Sequence, residues 1–170
     1  MKSKFEWLVF LAVLSFSTFF AAAEEPPIPP SAWEQHPEGV ALALVLTSGT
    51  DGGLQVSYLR LYVKNTSDTA KYLVTQSHGV AAQFFYVGAN GNQVILGNHD
   101  HPGHPEKDLI ESNQRLRVIL PGKIRSTGTE VTADEVALMK TQTVRCKIYI
   151  NDPTTKQDVP ITGAPQLLTP

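Results

Sequence analysis

The sequence points to an all-β class: an antiparallel β-sandwich of seven to eight strands with room for one short helix. Three observations lead there. Apolar residues recur at every second position in several runs, the period at which the side chains of a strand share a face. Clusters of Gly, Asn, Asp and Pro separate those runs about every ten residues, the turn spacing of sandwiches and barrels. Strands and amphipathic helices do not alternate, as a doubly wound α/β sheet would require.

Each element follows from its local pattern. VALALVLT (Val40 to Thr47) is apolar on both faces and runs into the turn Gly49-Thr50-Asp51-Gly52-Gly53. LQVSYLRLYVKN (Leu54 to Asn65) places Leu59, Leu61 and Val63 on one face and Arg60, Tyr62 and Lys64 on the other. Its first half, with Leu54, Val56 and Tyr58, has the opposite parity, which a β-bulge near Ser57-Tyr58 would reconcile. The polar turn NTSDT (Asn65 to Thr69) leads to YLVT (Tyr72 to Thr75). AAQFFYV (Ala81 to Val87) and QVIL (Gln93 to Leu96) flank Asn90-Gly91, a strong hairpin signal. RLRVIL (Arg115 to Leu120) carries Leu116, Val118 and Leu120 on one face and stops at Pro121-Gly122. TADE (Thr132 to Glu135) fits a capping box and opens a helix from Ala133 to about Lys140. Thr143 to Asn151 is the next strand, turned by Asn151-Asp152-Pro153, and a short strand near Asp158 to Ile161 closes the sheet.

The chain has 170 residues and begins with what reads as an export signal. Lys2 and Lys4 precede an apolar run from Trp7 to Phe20, and Ala21-Ala22-Ala23 supplies the small residues that a signal peptidase reads. Cleavage after Ala23 divides the chain into a signal peptide (1–23), a proline-rich spacer (24–37, with EEPPIPP) and a β-sandwich domain (38–170). The apolar run is short for a membrane span, which needs about 20 residues, so no span is expected after cleavage.

Composition excludes some partners. Of 14 Lys and Arg two lie in the leader, and of 16 Asp and Glu one does, so the remainder carries a net charge of −3. A mildly acidic chain with no Lys/Arg cluster lacks the footprint of a nucleic-acid binder. Cys146 is the single cysteine, so no internal disulfide forms. In VRCKIYI it alternates with Arg145, Lys147 and Tyr149, which places the thiol on the apolar face as a small core residue of low reactivity.

The stretch GNHDHPGHPEKD (Gly97 to Asp108) holds three of the five histidines. His99 and His101 project to one side of an extended chain, and Pro102-Gly103 could turn His104 towards them. Three imidazoles suit Zn²⁺ or Cu²⁺, with Asp100 and Glu106 as outer acceptors. An ordinary solvated loop accounts for the same residues, because H-x-H-x₂-H matches no strong metal signature. His36 and His78, beside Pro37 and Gly79, read as turn residues. No nucleophile elbow, phosphate loop or dinucleotide fingerprint occurs, so no catalytic or cofactor-binding residue is assigned. Asp134-Glu135 are adjacent carboxylates that a helix start explains. Asn65-Thr66-Ser67 is formally an N-glycosylation acceptor in a surface turn. Trp33 reads as a plug on one end of the sandwich, and Tyr62 and Tyr149, on polar strand faces, are candidates for a flat recognition surface.

LRLYVKNTSDTAKYLV resembles the strand-turn-strand segment of immunoglobulin-like domains in exported bacterial proteins, and RVILPGK resembles their L-x-P-G-x element. The resemblance covers about 25 residues directly. It implies an immunoglobulin-like sandwich in an accessory or binding protein and carries no catalytic residue. The paired cysteines of antibody-type domains are absent. The expected function is therefore a non-catalytic, exported (periplasmic or secreted) protein with an interaction or envelope-architecture role and an unknown protein partner. A Zn- or Cu-binding protein using His99, His101 and His104 is the alternative, and an unrecognised enzyme the second.

Overall fold

Alternating sequences form strands wherever one face can be buried, and each of the expected runs does so. The computed structural model describes residues 28–76, 79–97, 115–152, 155 and 157–168. Within them the strands are β1 (Glu34–His36), β2 (Val40–Asp51), β3 (Leu54–Asn65), β4 (Lys71–Gln76), β5 (Gly79–Val80), β6 (Ala82–Val87), β7 (Gln93–Ile95), β8 (Arg115–Ile119), β9 (Ile124–Val131), β10 (Val144–Asp152) and β11 (Gln157–Thr162). One α-helix, α1 (Ala133–Met139), and a 3₁₀ turn at Pro30–Ala32 complete the described elements. Strand β1 lies inside the stretch read from sequence as a spacer, and His36, read as a turn residue, ends it by pairing with Val40.

The strands make two antiparallel sheets. The first has the order β1-β2-β3-β9, and the second contains β5, β4, β10, β6 and β7, with β8 on β4 and β11 on β10. The fold is an all-β sandwich. Its core is one cluster drawn from both sheets, with Leu42, Leu44, Leu59, Leu61 and Val63 facing Leu73, Phe84, Ile119, Cys146, Ile148 and Ile150. Met139 of α1 also reaches that core and is fully buried.

The register explains two departures from the expected pattern. The β2–β3 hairpin pairs without interruption from Asp51↔Leu54 to Val40↔Asn65, and β3–β9 from Ser57↔Val131 to Lys64↔Ile124, so no bulge occurs at Ser57-Tyr58. The parity change instead marks where β3 runs past the core: Leu54 at the hairpin tip is exposed while Leu59, Leu61 and Val63 are buried. In the second sheet one edge of β10 is shared. Leu73 pairs with Ile150 and Ala82 with Ile148, so Val74 and Ala81 step away from that edge opposite Tyr149, and β4 continues in a pairing with β5. The excursion is closed by the Ala81 N–H donating to the Val74 carbonyl at 3.0 Å. Val74, Ala81 and Tyr149 form a second small buried cluster at that break.

Helix α1 starts as its sequence requires. Thr132 Oγ1 accepts from the Glu135 N–H, and Glu135 Oε2 accepts from the Thr132 N–H at 2.8 Å, a complete capping box. The other carboxylate oxygen, Oε1, accepts from the Gly97 N–H at 3.0 Å, and the Gly97 carbonyl accepts from Thr129 Oγ1 at 2.7 Å. Gly97 has φ +73° and a Cβ there would collide with Thr129, so only glycine fits this clasp.

Candidate interaction surface

Strand β8 turns most of its apolar residues outward. Its outer residues Leu116 and Val118 are 50% and 40% exposed, and Leu120 just beyond it is 55% exposed, whereas Ile119 is 1% exposed and joins the core. Pairing decides this. Ile119 lies opposite Lys71 and Arg117 opposite Leu73, so the odd-numbered positions share the core side of β4 and the even-numbered ones face outward beside Tyr72 and Val74. Among the described residues β8 pairs with β4 alone and is an edge strand of the second sheet. An apolar stripe on an edge strand is an uncommon exposure, because such edges readily pair with other chains.

The charges along this edge are of one sign. Between Ser112 and Thr129 the chain carries Arg115, Arg117, Lys123 and Arg125 and no carboxylate. Arg117 shares the inward parity of Leu73, and Arg125 that of Val63, yet both are exposed because β8 and β9 are the outer strands of their sheets. Inward-pointing charges at a sheet edge oppose pairing with an identical strand.

The remaining polar candidates are structural. Asn65 is fully buried, and its amide is saturated: Nδ2 donates to the Thr69 carbonyl at 2.7 Å and to the Ile119 carbonyl at 2.8 Å. Its Oδ1 accepts from the Ser67 N–H at 3.0 Å and from Ser67 Oγ at 2.8 Å. The sequon is therefore a clasp tying β3 to β8, and its nitrogen is engaged rather than presented on a surface turn. Tyr62 is also buried, with the small Ala43 and Ser126 opposite it on the two neighbouring strands, so it offers no recognition surface. Tyr149 is buried at the break in the β10 edge, with Lys147 Nζ 5.3 Å from its ring centre. Trp33 is half-buried at the end of the 3₁₀ turn, 5.9 Å from Lys64 Nζ.

Cys146 lies where β10 meets the chain beyond β11. The Gly163 N–H donates to the Cys146 carbonyl, and a Cβ on Gly163 would press on the Cys146 sulfur. Burial pushes the thiol from 9.0 up to about 12; a backbone hydrogen bond to Gly163 opposes the shift and the Glu34 carboxylate adds to it. At neutral pH the sulfur is protonated and no nucleophile. Glu34 itself braces the two sheets, its Oε2 accepting from the Ala164 N–H at 2.7 Å and its Oε1 standing 3.3 Å from His36 Nε2. On the outer side of β6, Gln83 is buried with both amide atoms unpartnered.

His99, His101 and His104 lie outside the described residues, as does His78. Among the described residues no group of three His, Cys, Asp or Glu side chains could hold a metal ion. No helix among them is long and apolar enough to cross a membrane.

No family model and no curated protein matches this chain. Among solved structures, a penta-heme cytochrome c552 from Thermochromatium tepidum is similar at 13% identity and a TM-score of 0.32. That likeness spans 74% of this chain and 39% of the cytochrome, and it is too slight to carry a fold or a ligand across.

The signal for β8 was present in the sequence but ambiguous. RLRVIL offers three apolar residues at one parity and one at the other, and only the β4 register shows that the minority residue enters the core.

Proposed function

We propose that the chain is an exported, non-catalytic, immunoglobulin-like interaction protein that presents β8 as its contact strand. The observation that carries this reading is the outward stripe of Leu116, Val118 and Leu120 on a strand whose one inward core residue, Ile119, holds it to the sandwich. Three exposed aliphatic side chains within five residues lose little when covered by a partner and gain the hydrophobic term of burial. Binding rather than catalysis fits the chemistry of the other polar groups. Asn65 and Glu135 are engaged in clasps and Cys146 is held protonated. Export is supported by Lys2, Lys4, the apolar run from Trp7 to Phe20 and the alanines at 21–23.

A photo-crosslinking residue placed at position 118, expressed in the source cells, tests the reading. We expect a discrete adduct with one partner, absent when the same residue replaces Leu54 on the β2–β3 hairpin tip. Absence of adducts from every exposed position of both sheets would end the interaction reading.

A further inference from the structure

We infer that the occupant of the β8 edge is an extended segment of a partner protein in which acidic and apolar residues alternate, added to the second sheet as a further strand. The inference rests on the interaction reading above and deepens it by naming the partner's chemistry. A strand of this kind satisfies each feature of the edge at once. Alternate backbone N–H and C=O groups of an edge strand point away from its single partner, and an added strand pairs with them. Side chains of the added strand at one parity lie beside Leu116 and Val118 and cover their exposed area. Those at the other parity lie beside Arg117, on the inward side of the edge, where Arg125 of β9 is also exposed. Carboxylates there meet cations in a stretch that has no acid of its own between Ser112 and Thr129.

The same charges select against a second copy of this chain. Two β8 strands paired edge to edge would bring Arg117 of each towards the basic residues of the other, and like charges across a ladder are destabilising. Discrimination then comes from repulsion of the wrong strand as well as attraction of the right one. The overall charge of the chain is −2, so the attraction is local to this edge and does not extend to acidic molecules in general.

The test uses the full mature chain and two short blocked peptides, one alternating Val and Glu and the other Val and Lys. Amide hydrogen exchange across Arg115–Ile119 is followed with each peptide, in wild type and in Arg117→Glu. In wild type the Val/Glu peptide should slow exchange in β8 and bind at least about fivefold more tightly than the Val/Lys peptide, the effect of one or two exposed ion pairs. The preference should reverse in Arg117→Glu, a substitution at an exposed position that circular dichroism checks for folding. Unchanged β8 exchange with both peptides overturns the inference, as does a preference for Glu that survives Arg117→Glu. Self-association of the chain that the peptides compete away overturns it too, since the occupant would then be a second copy. If the peptides fail while crosslinks from position 118 persist, the strand inference falls and the interaction reading stands. Loss of crosslinks from all positions would remove the reading itself.

Discussion

Replacing Asn65 with alanine should cost far more than its place in a polar turn suggests. The side chain makes four hydrogen bonds, of which the one from Nδ2 to the Ile119 carbonyl is buried and the other three are partly exposed. Losing the buried bond costs about 0.5–1.5 kcal/mol, and the orphaned Ile119 carbonyl adds about 1–3 kcal/mol. Water replaces much of what the more exposed groups lose, so the total should be about 2–4 kcal/mol. Asn65→Asp should cost more than alanine, because it sets a second oxygen against the carbonyls of Thr69 and Ile119. Ser67→Ala, which removes only the Oγ bonds to Asn65 and Thr69, should cost under about 1 kcal/mol. Urea unfolding with linear extrapolation measures all three, provided the slope stays constant. A cost for Asn65→Ala within about 0.5 kcal/mol of zero would refute the clasp, as would Ser67→Ala costing as much as Asn65→Ala. The same engagement of Nδ2 predicts that folded protein secreted from a glycosylating host carries no sugar at Asn65, which intact-mass measurement checks.

Five further outcomes are expected. Cys146 should resist thiol reagents at neutral pH until the protein unfolds, so labelling should follow the urea transition; rapid labelling of native protein would contradict its burial. Because its folded value of about 12 lies above 9.0, its contribution to stability is complete below pH 9 and is lost as pH rises towards 12, by up to about 4 kcal/mol; Cys146→Ala should therefore flatten the alkaline stability curve, and an unchanged slope would contradict this. Gly97→Ala should destabilise by about 1–2 kcal/mol or more, since it adds positive-φ strain to a collision with Thr129; equal thermal stability would dissolve the clasp. Gln83→Met should stabilise by about 1 kcal/mol by removing two unpartnered buried atoms, and a loss of stability would mean that the amide has a partner. Zn²⁺ and Cu²⁺ titrations should not distinguish wild type from the His99→Ala/His101→Ala/His104→Ala variant; tighter binding by wild type would establish the metal reading.

Much of the fold was legible because β-sheets expose their period. Leu59, Leu61 and Val63 alternate with polar residues, and Cys146, Ile148 and Ile150 do the same. The helix at Ala133–Met139 was legible from its cap alone. Strand β9 was not, because IRSTGTEV has apolar residues only at its ends and lies at the outer edge of the first sheet, with little face to bury. Strand β8 was half legible. Its alternation is evident, but which parity faces the core depends on pairing with β4, a relation between distant segments. Asn65 shows the opposite failure: a local motif suggested modification, and the long-range bond to Ile119 gave the residue its use.

The double substitution Leu116→Thr/Val118→Thr separates stability from recognition and tests the central claim most directly. Urea unfolding and recovery of the crosslinked partner, with the crosslinker at position 120, are measured on the same variant. We expect stability within about 0.5 kcal/mol of wild type, as for exposed β positions, together with loss of the adduct. A stability loss of several kcal/mol, or an adduct that persists undiminished, would show that β8 is not the surface by which this sandwich meets its partner.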